Sequence, residues 1–141
     1  MRFFILVAEE ECARYNALLA RFPRDIQLLG IGANGHIAFN EPGTPFDSET
    51  HVVALTENTI EMNARFFKNK NEVPRRAFTM GIKNITDAKK VLILACGRNK
   101  ANAVYGLVHG AVTEQLPASI LQKHTDCVLI ADREAAALLG A

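Results

Sequence analysis

The sequence predicts an α/β fold in which a mostly parallel β-sheet is covered by helices on both faces. Three apolar runs without alternation, at residues 26–31, 91–95 and 127–131, are typical of strands that are buried on both sides. Segments with helical periodicity separate them, and strands that alternate with helices form parallel sheets. With 141 residues, 49% of them hydrophobic, the chain is long enough for a single domain with a substantial core.

The first helix is predicted over residues 9–21. Cys12, Tyr15 and Leu18 recur at helical spacing there, and Pro23 follows as a helix terminator. Because its only polar residue is Gln27, the strand at 26–31 is predicted to be central in the sheet. The other predicted elements are strands at 3–7, 51–55 and 77–80, a helical turn at 84–88, and helices at 101–108, 117–122 and 135–139.

A second helix is predicted to begin after Thr56, which is a good N-cap residue, with Glu57 in the first turn. Ile60, Ala64 and Phe67 form its predicted buried stripe. The helix that follows residue 100 has its predicted buried face at positions 101, 104, 105 and 108.

The charge distribution excludes several classes of partner. The chain has 16 basic and 15 acidic residues, interspersed along its length, for a net charge of +1. This balance gives no electrostatic footprint for nucleic acid or an anionic membrane, and no apolar run approaches the ~20 residues of a membrane span. We therefore expect a small-molecule partner and a cytoplasmic location.

The three cysteines, Cys12, Cys96 and Cys127, are odd in number and lack the spacing of a metal site, so no metal is predicted. Cys96 and Cys127 lie in apolar runs, where buried free thiols are common. A reducing compartment fits this pattern. His124 is predicted to be a structural histidine.

The loop over residues 30–41 is the strongest candidate for a functional site. Glycines at 30, 32 and 35 follow a buried strand, where they allow a tight turn and a close approach to a ligand. The polar residues Asn34, His36, Asn40 and Glu41 fall within eight positions of one another. A histidine near a carboxylate suits acid–base chemistry, because the carboxylate can orient the ring.

A second candidate lies after the strand at 91–95, where Gly97 and Lys100 precede a helix. Free N–H groups, the helix dipole and an ammonium group can bind an anion together, although many such lysines are ordinary surface residues. Arg65 borders the stripe of the second helix, where long side chains commonly extend to solvent. Because both loops leave carboxyl ends of predicted parallel strands, they could converge on one crevice. The residues alone thus indicate a phosphorylated or carboxylated small molecule and acid–base chemistry.

The stretch GIGANGHIAFNEPGTPF resembles the signature of the glucosamine-6-phosphate deaminases, also called isomerases. The resemblance continues through THVVALTENTIEMNARFF, VPRRAFTMGIKNITDAKKVLILACGRNKA and LPASILQKHTDCVLIAD, and covers roughly residues 11–132. It implies a Rossmann-like, doubly wound fold. The related 6-phosphogluconolactonases share the Gly-His turn, but the run from Phe39 to Pro42 resembles the deaminases.

The resemblance also implies an activity and a set of site residues. Such enzymes convert glucosamine 6-phosphate and water to fructose 6-phosphate and ammonia, in the breakdown of amino sugars, without a redox cofactor. By position, His36 resembles the acid–base residue for ring opening, and Glu41 and Asn34 match residues that flank and orient it. The remaining matches are substrate-binding positions: Arg65 and Lys100 for the phosphate, and Gly30 for a backbone contact to the sugar.

The chain departs from the family pattern before Asp25, where no phosphate loop and no aspartate base are recognisable. It therefore resembles the carboxyl-terminal part of a deaminase, and we expect weak or no activity from it alone. A doubly wound sheet divided in this way exposes an edge and an apolar face, which predicts self-association or docking of another segment there. A sugar-phosphate-binding module without catalysis and, less favoured, a lactonase-like hydrolase remain as alternatives.

Overall fold

The computed structural model describes residues 8–140 as α-helices and β-strands joined by turns and short 3₁₀ segments. The α-helices are α1 (Ala8–Arg21), α2 (Glu57–Asn63), α3 (Ile82–Thr86) and α4 (Ala101–His109). The strands are β1 (Ile26–Gly30), β2 (His51–Ala54), β3 (Arg76–Thr79), β4 (Lys90–Ala95) and β5 (Cys127–Ala131). The predicted strand at residues 3–7 lies outside the described residues.

The main sheet is parallel and has the order β1-β4-β5. Gly30 pairs with Leu94, and Ala95 pairs with Ala131, so the carboxyl ends of all three strands lie along one edge. The predicted α/β fold with a parallel sheet is confirmed. The register places the segments that follow β1 and β4 side by side.

One face of this sheet forms the core. Leu29, Val91 and Ile93 point to this face and are at most 7% exposed. They belong to one cluster of buried residues with apolar side chains of α3, α4 and the 3₁₀ segment Pro117–Lys123. Burial of such side chains is the main driving force for folding, at about 25 cal/mol for each Å² of apolar surface.

The opposite face of the same sheet is bare in the described chain. Ile26, Leu28, Leu94, Val128 and Ile130 are between 41% and 61% exposed. The prediction that the first strand is central and covered on both faces is therefore wrong for the described residues: β1 is an edge strand with one exposed face. The predicted exposure of an edge and an apolar face is confirmed.

Strands β2 and β3 form a separate antiparallel pair, in which His51 lies opposite Thr79. A polar network connects this pair to α1 and α3. The Asn16 side-chain oxygen accepts hydrogen bonds from the backbone N–H of Thr50, at 3.1 Å, and from the Asn84 amide, at 3.2 Å. No residue of α1 is fully buried, and this network joins the first helix to the rest of the fold.

The predicted helix starts agree with the structure better than the predicted buried faces do. Thr56 caps α2 as predicted, because its hydroxyl oxygen accepts a hydrogen bond from Thr59 N–H at 3.2 Å. The predicted stripe is only partly right: α2 ends at Asn63, and Phe67 is exposed. In α4 the buried face includes Leu107, and the side chains of Tyr105 and Val108 face solvent.

Two predictions near the chain's end are also resolved. The helix expected at residues 135–139 is wrong, because this segment consists of turns. His124 is structural, as predicted: its Nε2 lies 2.8 Å from the Ala88 carbonyl oxygen, and its Nδ1 accepts a hydrogen bond from Asp126 N–H.

The three cysteines are free thiols. Cys127 is half-buried, but Cys96 is exposed, so its predicted burial is wrong. Cys96 lies just beyond the last residue of β4, where the chain leaves the sheet. Burial raises the pKa of the Cys127 thiol, with a further contribution from the negative charge of Asp126.

Candidate active site

The loop after β1 is held in a closed turn by its own backbone. Gly32 N–H donates to the His36 carbonyl oxygen at 2.9 Å, and Gly35 N–H donates to the Gly32 carbonyl oxygen at 3.0 Å. A Cβ atom at position 32 would overlap the His36 ring, and Gly35 has a φ of +84°, which is favourable for glycine. The glycines thus allow the imidazole to lie directly against the turn.

His36, Glu41 and Asn34 meet in this loop, and we call them the His–Glu–Asn group. Glu41 Oε1 lies 3.5 Å from His36 Nδ1, and Glu41 Oε2 accepts a hydrogen bond from the Asn34 amide at 2.7 Å. The Asn34 side-chain oxygen also accepts a hydrogen bond from the backbone N–H of His36 at 3.2 Å. The side chains of His36 and Glu41 are about one-third exposed, so a solute can reach the imidazole while Asn34 holds the carboxylate beside it.

Asn40, which the sequence places in the loop without a role, anchors this group to β3. Its side chain is fully buried, and its amide donates to the carbonyl oxygens of Ile37, at 2.9 Å, and Met80, at 2.8 Å. Phe39 N–H donates to the Thr79 hydroxyl oxygen at 3.2 Å. The signal that could have identified Asn40 is a polar residue directly after an apolar run that ends at Phe39, because a buried amide must find partners.

The second candidate loop follows β4. Gly97 has a φ of +90°, and its N–H donates to Asp132 Oδ2 at 2.9 Å. Lys100 N–H donates to the Gly97 carbonyl oxygen, and α4 begins at the next residue. The half-buried Lys100 forms no ion pair within residues 8–140. Its ammonium group therefore lies at the start of a helix, without a carboxylate to neutralise it.

Within residues 8–140, the remaining two candidates form no hydrogen bond or ion pair with the His–Glu–Asn group. Gly30 ends β1, and no atom lies within 4 Å of where its Cβ would be, so a ligand could approach its backbone. Arg65 lies in a 3₁₀ turn after α2, where its guanidinium group stacks on Phe66 at 4.7 Å from the ring centroid. No hydrogen bond of the described chain connects Arg65 to the loop, and its predicted role in phosphate binding stays a prediction.

A further hollow in the structure lies elsewhere. This cavity, of about 720 Å³, lies between α1 and β2 and is lined by residues that include Cys12, Asn16, His51 and Arg76. It contains no member of the His–Glu–Asn group. Across residues 8–140, no cluster of three metal-ligating side chains occurs. We place the candidate site at the loop after β1, because the acid–base pairing is there.

Comparisons with known proteins show the family of this chain. The family described as glucosamine-6-phosphate isomerases/6-phosphogluconolactonase matches residues 5–130, and the chain belongs to this family. A glucosamine-6-phosphate deaminase of Streptococcus pneumoniae serotype 4 is 60% identical over 132 residues, which are 94% of this chain and 57% of that protein. The chain thus spans a little over half the length of the curated relatives that it matches.

Solved structures show the same relationship. A monomeric glucosamine-6-phosphate deaminase superposes with a TM-score of 0.86 at 52% identity, over 92% of this chain and 54% of that one. The 6-phosphogluconolactonase of Trypanosoma brucei gives a TM-score of 0.71 at 22% identity, over 99% of this chain and 56% of that one, which shows the shared fold alone. Among the described residues, no helix combines the length and the apolar character that a membrane crossing requires.

Proposed function

We propose that this chain carries the acid–base group and part of the phosphate site of a glucosamine-6-phosphate deaminase. The reaction would convert glucosamine 6-phosphate and water to fructose 6-phosphate and ammonia. The observation that carries the proposal is the arrangement of His36 beside Glu41. The Asn34 side chain is hydrogen-bonded to the Glu41 carboxylate and to the backbone N–H of His36. The 60% identity to a curated deaminase supports the choice of reaction.

In this proposal His36 moves the proton that opens the sugar ring. The C1 hydroxyl loses a proton, the bond between C1 and the ring oxygen breaks, and the ring oxygen gains a proton. An imidazole that is about one-third exposed and lies beside a carboxylate is suited to both transfers, because imidazole nitrogens can both accept and donate a proton. Glu41 orients the ring, and Asn34 orients Glu41. We assign no residue of this chain to the removal of the proton from carbon 2.

The phosphate would be bound at a distance from the imidazole. Lys100 supplies a positive charge at the start of α4, where the helix dipole also favours an anion. The pairing of Gly30 with Leu94 supports this assignment, because it places the loops after β1 and β4 next to each other. We assign Arg65 to the same phosphate and Gly30 to a backbone contact with the sugar.

Ammonia release from glucosamine 6-phosphate by the full chain tests the proposal. His36→Ala should lower the rate by about 100- to 10,000-fold, because loss of a general acid–base group has effects of this size. His109→Ala is the matched control, since this exposed histidine lies at the end of α4 and stacks on Tyr105. Unchanged ammonia release from His36→Ala would contradict the assigned role.

A non-catalytic sugar-phosphate-binding module is the second candidate, and the coverage of 57% of the relative's length favours considering it. In that case glucosamine 6-phosphate should bind without ammonia release. Lys100→Ala should abolish this binding, and Lys123→Ala, a change at an exposed lysine of another segment, should preserve it. Hydrolysis of 6-phosphogluconolactone without activity on the amino sugar would instead indicate a lactonase.

We also propose that two copies of the chain associate through the bare face of the sheet and through the edge of β1 that has no partner strand within residues 8–140. The observation is the row of apolar side chains that includes Leu28, Leu94 and Ile130. Apolar patches of this kind mark interaction surfaces. Sedimentation at several concentrations tests the association, and one monomeric species throughout would contradict it. A cytoplasmic location stays a prediction from the sequence.

A further inference from the structure

A segment 68 or more residues further along the chain contacts the candidate loop next to its functional side chains. The backbone carbonyl oxygen of Glu114 accepts a hydrogen bond from Gly43 N–H at 2.8 Å. The Glu114 carboxylate accepts a second bond, from Phe46 N–H, at 3.2 Å. Glu114 thus holds the loop just beyond Glu41 at two backbone positions.

Leu116 contacts the other side of the same loop. Its side chain lies against Gly35, so closely that a Cβ atom at position 35 would overlap it. The neighbouring Ala118 N–H donates to the Gly35 carbonyl oxygen at 2.9 Å. Gly35 lies between Asn34 and His36, so this contact fixes the backbone that carries the imidazole.

Leu116 also contacts the helix that starts at the second candidate loop. A Cβ atom at Gly106 of α4 would come within 2.8 Å of Leu116 Cδ2. Since α4 begins directly after Lys100, one leucine side chain is packed between the imidazole loop and the helix of the phosphate-binding lysine. It can therefore set the spacing between the two ends of the site.

Hydrogen bonds within residues 113–119 hold the segment that carries Glu114 and Leu116. The Ser119 side chain is fully buried, and its hydroxyl accepts a hydrogen bond from Thr113 N–H at 2.9 Å and donates to the Thr113 carbonyl oxygen at 3.0 Å. Leu116 N–H donates to the same carbonyl oxygen, and Pro117 fixes the backbone next to it. These bonds close residues 113–119 into a compact turn.

We propose that Glu114 and Leu116 are positioning residues, which hold His36 against Glu41 and at a fixed distance from Lys100. This inference rests on the proposed function of the His–Glu–Asn group. The segment contacts Gly35, which lies between Asn34 and His36, and Gly43, which lies just beyond Glu41. A displacement of about 1 Å in such a group can cost about 100-fold in rate, so a residue without substrate contact can have a large effect.

Leu116→Ala, compared with Leu121→Ala, tests the role of the leucine. Both changes remove the same atoms, but Leu121 lies in the core at 2% exposure, beyond the turn of residues 113–119. Amide hydrogen exchange of residues 34–46 should become about tenfold or more faster in Leu116→Ala, and should change far less in Leu121→Ala. The NMR signal of the His36 ring should shift in the first variant alone.

Two further variants separate positioning from a general loss of stability. Leu116→Met keeps the volume and should restore slow exchange and the His36 ring signal. Glu114→Gln keeps an oxygen that can accept the bond from Phe46 N–H, so it should resemble the parent. Glu114→Ala should accelerate exchange at Phe46.

Activity gives an independent readout. If the parent chain releases ammonia, Leu116→Ala should lower kcat by about 100-fold, and Leu121→Ala should retain kcat in its folded fraction. If the parent releases none, the chain lacks a complete catalytic site, but exchange and the ring signal still decide the positioning. Equal effects of Leu116→Ala and Leu121→Ala on the loop would overturn the inference.

Discussion

The two faces of the three-stranded sheet are built from the same strands and the same kinds of residue, yet they have opposite surroundings. On one face Val91 and Ile93 are fully buried under α3, α4 and the segment that includes Leu121. On the other, Leu94 and Ile130 are about half exposed. Both faces carry apolar side chains, so apolar character does not distinguish them. The faces differ in the elements that are packed on them.

This difference shows what an apolar run in a strand can and cannot indicate. A continuous run means that both faces suit burial, and the sequence of β4, KVLILA, has this property. Whether both faces are covered depends on the rest of the fold. The bare face thus has the composition of a core without a covering layer in the described residues. Substitutions on the two faces should therefore differ in their effects on stability and association.

The largest difference is expected between neighbouring residues of β4. Ile93→Ala should reduce the free energy of unfolding by about 2–5 kcal/mol, because it leaves a cavity in a packed core. Leu94→Ala should reduce it by less than about 1 kcal/mol, as for most exposed positions. Urea unfolding of the parent chain and of both variants measures these changes in the free energy of unfolding. Equal losses would mean that the bare face is covered in solution.

A smaller effect is expected when the bare face becomes polar. The double change Val128→Thr and Ile130→Thr keeps β-branched side chains, so it should change the free energy of unfolding by at most about 1 kcal/mol. It should weaken binding of an apolar fluorescent dye and shift the sedimentation profile towards monomer. Ile93→Thr, on the covered face, is the matched control and should destabilise the fold instead. An unchanged dye signal would count against an accessible apolar face.

The smallest effect concerns the thiols. Burial raises the pKa of the Cys127 thiol, so less of it is thiolate near neutral pH, and iodoacetamide should modify it more slowly than the exposed Cys96. Raising the pH should accelerate the reaction of Cys127 as its thiolate fraction grows. Mass spectrometry of the labelled peptides measures both rates, with the chain unfolded in urea as the control in which they converge. Faster labelling of Cys127 in the folded chain would be the contrary result.

Local patterns predicted the elements around the site more accurately than their surroundings. The Thr56 cap is confirmed because a cap depends on atoms three residues apart, and the turn after β4 leads into α4 as predicted. The burial of Phe67 and Cys96 is wrong, because burial depends on distant elements. The His–Glu–Asn group could be proposed from spacing, since its members lie within eight positions, but its role stays a prediction.

The sequence by itself determined the order of the strands and helices, the glycine turn that brings His36 to Glu41, and the helix start at Lys100. These features depend on residues close together in the chain, where backbone preferences and short hydrogen bonds decide the structure. The tertiary structure alone decided that β1 lies at an edge, that one face is bare and that Leu116 packs between Gly35 and Gly106. Such contacts join residues that are far apart in sequence, and their energy comes from packing and register, which no local pattern encodes.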